Sequence, residues 1–376
     1  MNIVYETLMP SIREQIEELE KEISTTKYNK ATEQHIGLLK AKIAKLKLTE
    51  EKQRKSSSGG GDGYSVKKSG HATVGIIGFP STGKSTLMNK ITDAESEVGA
   101  YHFTTLKVVP GILKHKGAII QVLDLPGIIK GAADGRGRGR EVLSALRSVD
   151  LILLMLDVFE TNIHVLINEL EKAGMRLNQS PPDIVITPQE RGGITLNTTV
   201  ELTHLNEDLV GSIFQGYRYV NANVVLRDDV TIDQLIDRLA GNRVYVKAFV
   251  TLNKIDLVNP SYINEVKKRL KGWDIIPISA AEDIGLEELK DAVYEKFDFI
   301  RVYLKPQGQK ADMDEPLVIK RGATVEDICA VLHRDFARKF RYAIVTGPSA
   351  KFEGQHVGLN HALDDEDVLT IIIKKG

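Results

Sequence analysis

The chain has 376 residues, enough for two or three domains at roughly 150 residues each. Hydrophobic residues make up 42% and charged residues 27%, as in ordinary globular proteins, and the net charge of -1 gives no global argument for nucleic-acid binding. The single cysteine, Cys329, excludes an intrachain disulfide and, within an apolar helical pattern, is interpreted as a core thiol. With no signal peptide and no apolar run long enough to span a membrane, we expect a cytoplasmic protein without membrane contact.

The first segment, residues 1–55, has the apolar spacing of two amphipathic helices. Apolar residues recur at intervals of three and four on both sides of a polar stretch, Ser24 to Asn29. We predict a helical hairpin that is either a packing appendage or a partner-binding arm. Basic residues are concentrated from Lys40 to Lys55, where a solvated helix face and an RNA-facing patch are equally good interpretations.

A serine- and glycine-rich run within residues 56–70 predicts a flexible linker. Beyond it, continuous apolar runs alternate with helical patterns. This alternation predicts an α/β fold with a parallel sheet and helices on both faces. The predicted strands are Thr73–Ile77, Ile119–Leu123, Leu151–Leu156, Val244–Leu252 and Ile275–Ile278.

The interval between the third and fourth predicted strands is too long for a single crossover helix. Residues 174–242 carry their own patterns and predict an inserted α+β subdomain, which divides the core into residues 71–173 and 243–297. Its predicted elements are strands Ile184–Thr187, Ile194–Leu202 and Val224–Leu226, a helix from Asn206 to Phe214 and a second helix around Leu235.

The last segment, residues 298–376, predicts a small mixed sheet around one helix that runs from Val325 to Phe340.

A phosphate-binding motif follows the first strand of the core. Residues 78–85 match G-x-x-x-x-G-K-S between a predicted strand and a helical pattern, where backbone amides can surround phosphate oxygens. Lys84 is predicted to stabilise the transferred phosphoryl group, and Ser85 to give its hydroxyl to Mg²⁺. The predicted nucleotide contacts of this segment are Gly78, Phe79, Pro80, Ser81, Thr82, Gly83, Lys84, Ser85 and Thr86.

A second motif, Asp124-Leu-Pro-Gly127, ends the next predicted strand, at the edge where open α/β sheets bind ligands. We predict that Asp124 holds Mg²⁺ through water and that the Gly127 amide contacts the γ-phosphate. Upstream, either Thr104 or Thr105 has the chemistry to ligate Mg²⁺ and sense the γ-phosphate.

A third motif, Asn253-Lys254-Ile-Asp256, also ends a predicted strand. The Asp256 carboxylate can accept hydrogen bonds from the ring N–H and exocyclic amine of guanine, a donor pair that adenine lacks. Farther on, Ser279-Ala280-Ala281 is predicted to offer a backbone amide to the guanine oxygen. The three motifs together predict a GTP-binding, GTP-hydrolysing enzyme.

The combined motifs resemble those of the developmentally regulated GTP-binding proteins, a group of Obg-related translation-factor GTPases. Besides the three motifs, the resemblance rests on Tyr-His-Phe-Thr-Thr-Leu at residues 101–106 and covers nearly the whole chain. It implies a helical N-terminal arm, an insert similar to a domain of a small-subunit ribosomal protein, and a C-terminal β-grasp TGS domain. It favours Thr105 as the Mg²⁺ ligand, and it implies association with ribosomes or RNA and a regulatory partner protein. We expect a monomer.

One departure from signalling GTPases bears on the mechanism. Ile128 follows Gly127 where many of them carry a glutamine that positions water, so intrinsic hydrolysis is predicted to be slow. In related enzymes a K⁺ ion can substitute, and Ser81 is the matching position, which makes K⁺ stimulation a hypothesis. The main alternative is a nucleotide-dependent RNA- or ribosome-binding scaffold with incidental hydrolysis. A P-loop small-molecule kinase is disfavoured, because the Asn-Lys-Ile-Asp motif has no role there.

Overall fold

The computed structural model of the chain describes residues 10–27, 29, 32–57, 70–92, 109–125 and 145–374. The chain divides into two units, one of residues 1–63 with 174–245 and one of residues 64–173 with 246–376. The N-terminal helices therefore belong with the inserted segment, and the C-terminal segment belongs with the α/β core. Most of the predicted linker, residues 58–69, lies outside the described residues.

The N-terminal segment forms helices α1 (Ile12–Thr25) and α2 (Glu33–Ser57). A capping box begins α1, because the Ser11 hydroxyl accepts from the Glu14 amide and the Glu14 carboxylate accepts from the Ser11 amide. The facing apolar stripes predicted from the sequence form one small core. Its buried members are Ile16, Leu19, Leu39 and Ile43.

The first part of the core consists of β1 (Ala72–Gly78), α3 (Lys84–Ile91), β2 (Val109–His115), β3 (Ala118–Asp124), β4 (Leu151–Asp157) and α4 (Ile163–Lys172). Strands β1 and β4 are buried along their whole length, as the continuous apolar runs predict.

Strand β2 was missed by the sequence prediction, and it makes the sheet mixed rather than purely parallel. It runs antiparallel to β3, from the pair Val109 and Asp124 to the pair His115 and Ala118. The connecting residues Lys116 and Gly117 have φ values of 47° and 79°, the left-handed conformation that a two-residue hairpin turn requires.

The inserted segment contains β5 (Met175–Leu177), β6 (Ile184–Pro188), β7 (Ile194–Thr198), α5 (Glu207–Gly216), β8 (Ala222–Leu226) and α6 (Ile232–Ala240). The strand order is β6-β8-β7. Strand β7 is shorter than predicted, because its last pair joins Thr198 to Leu226, where the partner strand also ends. The predicted cap of α5 is confirmed, since the Asn206 side chain accepts from the Leu209 amide at 2.8 Å.

A second face of α2 packs on the inserted segment within the same unit. Ala41 and Ala44 share a core with residues of α5 and β8. Three lysines of the basic stretch form bonds inside the unit, which supports a packing role for this part of the helix. These bonds join Lys40 to Asp233, Lys45 to the Gly216 carbonyl oxygen and Lys47 to Glu20.

The second part of the core consists of β9 (Val244–Asn253), a 3-10 turn (Ile255–Leu257), α7 (Pro260–Arg269), β10 (Ile275–Pro277) and α8 (Leu286–Lys296). The main path of the sheet is β10-β9-β4-β1-β3-β2, and all neighbours along it except β3 and β2 are parallel. The α/β class predicted from the sequence is therefore confirmed.

The C-terminal segment consists of β11 (Phe299–Leu304), β12 (Leu317–Lys320), α9 (Val325–Leu332), α10 (Arg334–Lys339), β13 (Phe340–Thr346), β14 (Gln355–Val357) and β15 (Asp367–Ile373). Its sheet has the order β12-β11-β15-β13-β14. The predicted single helix is wrong. His333 is extended, with φ -165° and ψ 137°, and its ring accepts from the Asp335 amide to cap α10. Cys329 is buried in the core under this sheet, as predicted.

Candidate nucleotide-binding site

The strand register brings the predicted motifs to one edge of the core sheet. Gly78 at the end of β1 lies beside Met155 of β4, and Asp157 at the end of β4 lies beside Asn253 of β9. Asp124 ends β3, next to β1. Because β1, β3, β4 and β9 are parallel, all of these residues lie at carboxyl ends, where open α/β sheets bind ligands.

The loop from Gly78 to Gly83 requires glycine at both ends. A Cβ on Gly78 would lie 2.3 Å from the Met155 carbonyl oxygen. Gly83 has φ 94°, and a Cβ there would lie 2.4 Å from the Asn253 side-chain nitrogen. Ser81 also adopts a left-handed conformation, with φ 63°, and it is exposed at the tip of the loop with Pro80.

Lys84 lies buried at the start of α3, and its ammonium group is held by the loop itself. Its Nζ donates to the carbonyl oxygens of Phe79 at 2.7 Å and Gly78 at 3.1 Å. Burial lowers the pKa of Lys84, and the negative charge of Asp124 partly opposes that change. A desolvated cation is thus aimed into the loop that is predicted to surround phosphates.

Ser85 and Asp124 are joined by a hydrogen bond, with Ser85 Oγ donating to Asp124 Oδ2 at 2.9 Å. The other carboxylate oxygen, Asp124 Oδ1, is buried without a hydrogen-bond partner among the described residues. A buried carboxylate oxygen without a donor is costly unless a cation or water satisfies it. One carboxylate and one hydroxyl match a Mg²⁺ ion that takes its other ligands from phosphates and water.

Asn253 connects the segment predicted to bind guanine to the loop predicted to bind phosphates. Its buried side chain donates from Nδ2 to the Thr82 carbonyl oxygen at 2.8 Å and accepts at Oδ1 from the Ala280 amide at 2.9 Å. In the segment Ser279-Ala280-Ala281, the Ala280 amide donates to Asn253 and the Ser279 amide donates to the Ile284 carbonyl oxygen. The amide of Ala281, an exposed residue, has no acceptor among the described residues.

The backbone of Lys254 adopts a left-handed conformation, with φ 65°. Its ammonium group donates to Asp157 Oδ2 at 2.6 Å. Burial would raise the pKa of Asp157, but the Lys254 ammonium and the Glu160 and Phe159 amides together hold it below its usual value. Sequence reasoning missed Asp157. The available signal was a carboxylate directly after the apolar run of β4.

The remaining predicted residues are exposed or lie outside the described residues. Asp256 is exposed on the 3-10 turn that follows β9, and Thr86 is exposed on α3. Thr105 and Gly127 fall in segments outside the described part of the chain, as does Ile128.

Three family models match the chain in succession. The model of a 50S ribosome-binding GTPase matches residues 73–188, that of the C-terminal region of this GTPase domain matches residues 191–299, and the TGS domain matches residues 300–373. The β-grasp tail expected from the motifs is therefore confirmed as a TGS domain.

Relatives that match nearly the whole chain show to which family it belongs. An uncharacterized GTP-binding protein of Methanocaldococcus jannaschii is 55% identical over 100% of this chain and 95% of its own length. Developmentally-regulated G-protein 2 of Arabidopsis thaliana is 45% identical over 97% of this chain and 92% of its own. Developmentally-regulated GTP-binding protein 2 of Homo sapiens is 43% identical over 96% of this chain and 100% of its own.

This chain belongs to the developmentally regulated GTP-binding protein family. The resemblance inferred from the motifs is confirmed, and the protein is a GTP-binding member of an Obg-related GTPase family. Like the family models, the relatives extend the match across the inserted segment and the TGS domain. In the described part of this family member, none of the helices has the length and apolarity needed to cross a bilayer.

Proposed function

We propose that this protein hydrolyses GTP to GDP and phosphate and acts as a ribosome-associated switch. The observation that carries the proposal is the pair Ser85 and Asp124, which leaves a buried carboxylate oxygen beside the loop that holds the Lys84 ammonium. A hydroxyl and a carboxylate at this point suit a Mg²⁺-nucleotide, and the Lys84 ammonium adds positive charge beside them. Phosphoryl transfer requires positioned cationic charge along the phosphates.

Lys84 supplies that charge from this chain. When the nucleotide binds, the Lys84 ammonium leaves the carbonyl oxygens of Gly78 and Phe79 and donates to phosphate oxygens. This favours binding, because hydrogen bonds to charged acceptors are stronger than those to neutral ones. In this proposal the Gly127 amide contacts the γ-phosphate and the Thr105 hydroxyl senses it.

Ser85 and Asp124 fit the Mg²⁺ ion that such nucleotides carry. Ser85, Asp124 and Thr105 would hold this ion. Bound Mg²⁺ would supply positive charge that neutralises the phosphates. The Ser85–Asp124 hydrogen bond supports this assignment, because it holds the two oxygen atoms 2.9 Å apart.

Guanine is selected by Asp256, with Asn253 as the brace and the Ala281 amide as the donor to the guanine oxygen. We predict that Asp256→Asn weakens GTP binding by about 10- to 100-fold, because one charge-assisted pair of hydrogen bonds is lost, and shifts preference toward xanthine nucleotides. Competition binding with GTP, XTP and ATP measures this. Unchanged GTP preference would remove Asp256 from the base-reading role.

Ile128 stands where many signalling GTPases have a glutamine, and its aliphatic side chain cannot orient the attacking water. Hydrolysis by the isolated protein is therefore slow, and K⁺ near Ser81 is one way to complete the site. Turnover in KCl and NaCl at matched ionic strength tests this. Equal rates in the two salts rule out K⁺ activation.

The switch proposal is tested by steady-state GTP hydrolysis in KCl with and without purified ribosomes. Strong stimulation supports a ribosome that completes the site. Slow turnover that ribosomes do not change contradicts the ribosome-associated switch and favours the scaffold alternative or a partner protein, which a pulldown with the GTP-bound form would then seek.

A further inference from the structure

A buried carboxylate at the guanine side of the site has no part in the function proposed so far. Asp157 is the last residue of β4, and its side chain is 8% exposed. Its Oδ2 binds the Lys254 ammonium at 2.6 Å, and its Oδ1 accepts from the Phe159 and Glu160 amides at 2.9 Å each. Both carboxylate oxygens are therefore used by the two loops that border the base side.

The backbone around this carboxylate is fixed on both sides. The Val158 amide donates to the Asn253 carbonyl oxygen at 3.2 Å, and the Tyr262 hydroxyl donates to the Val158 carbonyl oxygen at 3.0 Å. Asp157 also lies directly beside Asn253 in the register of β4 and β9. The carboxylate is therefore a rigid reference point for the segment that reads guanine.

Lys254 is the flexible member of that segment. A free lysine side chain loses much rotamer entropy when it is ordered. Here the ammonium is held at one end by Asp157, and the Phe159 ring centroid lies 5.7 Å from it. Because the ammonium group is fixed, the methylene chain of Lys254 is already ordered before a ligand binds. Lysine methylene chains readily cover flat apolar groups.

We propose that Asp157 is a positioning residue for nucleotide binding, which holds Lys254 extended so that its stem covers the guanine base. The inference rests on the guanine-reading role proposed for the Asn253–Asp256 segment. Because the contact is with the base, it acts equally on GTP and GDP. It acts on affinity and leaves the chemical step unchanged.

The first test is the isosteric substitution Asp157→Asn, which keeps an acceptor for the two amides and removes the charge that holds Lys254. We expect the dissociation constants of both GDP and GTP to rise about 10-fold, as for loss of one charged hydrogen bond. The kcat at saturating GTP stays unchanged. Inorganic tripolyphosphate, which lacks a base, serves as a second probe, and its affinity stays unchanged.

Asp150, at the opposite end of β4 from Asp157, provides a matched control. Asp150 precedes β4, and its carboxylate accepts from the Thr73 amide at 2.9 Å. Asp150→Asn is expected to leave GDP affinity unchanged. If Asp157→Asn weakens tripolyphosphate as much as GDP, the residue has a general structural role and the proposal is overturned.

A double-mutant cycle separates positioning from direct effects. Lys254→Met keeps an apolar stem of similar length without the ammonium. In that background Asp157→Asn is expected to cause no further loss of GDP affinity, since nothing remains to be held. An undiminished loss in the double variant overturns the proposal. Binding of GDP without hydrolysis of GTP would instead contradict the proposed GTPase function and leave this test valid.

Discussion

Asp237 in the inserted segment is buried, and Asp124 at the edge of the core sheet has one buried carboxylate oxygen, but the partners of the two carboxylates differ. Asp124 Oδ1 has no hydrogen-bond partner among the described residues. Asp237 binds Arg176 through both oxygens, at 2.6 and 2.8 Å, and Arg243 through Oδ1 at 2.6 Å.

The difference in partners distinguishes a carboxylate that stabilises the fold from one that is available to a ligand. A buried charge is costly unless it is paired, so the Asp237 cluster satisfies its own members and needs nothing from outside. Asp124 Oδ1 has no such partner among the described residues, and under the proposed function a cation would offset that cost. Substitution of Asp237 should therefore act on stability, and substitution at the nucleotide edge should act on activity.

The largest stability effect is expected for Asp237→Ala, which leaves the guanidinium groups of Arg176 and Arg243 without their buried partner. Their side chains are only 14% and 18% exposed, so we expect a loss of about 3–5 kcal/mol in the inserted unit. Hydrogen exchange of β8 in the full chain measures it. Asp233→Ala breaks an exposed pair with Lys40 and should cost less than about 1 kcal/mol. Equal effects in the two variants would contradict a structural role for the cluster.

Lys84→Ala should show the opposite pattern. We expect GTP hydrolysis to fall by about 10²- to 10³-fold, because a buried cation aimed at the phosphates is lost. Thermal stability should change little, because removal of a desolvated charge offsets the loss of the bonds to the Gly78 and Phe79 carbonyl oxygens. Lys90→Ala, at the other end of α3, breaks only an exposed pair with Asp283 and serves as the control. Wild-type turnover in Lys84→Ala would remove the lysine from the mechanism.

Asp124→Asn is a smaller test of the same distinction. The substitution removes charge from the site that fits Mg²⁺, so the Mg²⁺ concentration for half-maximal hydrolysis should rise by about 10- to 100-fold. The nucleotide-free protein should lose little stability, because an amide oxygen can still accept from Ser85 Oγ. The favourable charge beside Lys84 is lost, but a carboxylate with an unpaired buried oxygen is removed as well. A destabilised protein with unchanged Mg²⁺ dependence would show that the carboxylate is structural.

Sequence patterns predicted the fold best where burial alone determines an element. The run Leu151–Leu156 became β4 with one added residue, because a central strand is apolar on both faces. Strand β2 was not predicted because Pro110, Lys114 and His115 interrupt its apolar pattern, and pairing with β3 stabilises it. The break at His333 was also invisible, since helical spacing continues through it.

The site shows the same limit. Local motifs were enough to predict which segments would carry the proposed nucleotide chemistry, because each motif lies within a few residues. The structure brings these motifs to one edge of the core sheet. The braces join distant residues. Asn253 and Thr82 are separated by 171 positions, and Lys254 and Asp157 by 97. Such pairs depend on strand register, which no local pattern specifies.

Tyr217 of the inserted segment also has a buried polar atom, its hydroxyl oxygen, without a hydrogen-bond partner among the described residues. If unpaired atoms always mark ligand sites, Tyr217→Phe should remove binding of some ligand. We expect instead that it stabilises the unit by about 1 kcal/mol, since an unsatisfied hydroxyl is removed. Thermal unfolding of the full chain measures the difference.

The alkaline titration of Tyr217 provides a second test of its effect on stability. Burial raises the pKa of Tyr217 to about 12, with the Arg243 charge opposing and the Asp237 charge adding to the increase. A folded pKa above the unfolded value of 10.0 means that this contribution to stability is complete below pH 10 and is lost as the pH rises toward 12. The stability difference between Tyr217→Phe and the wild type should therefore grow over that interval. A constant difference would show that the phenol titrates normally and that its hydroxyl is accessible to water.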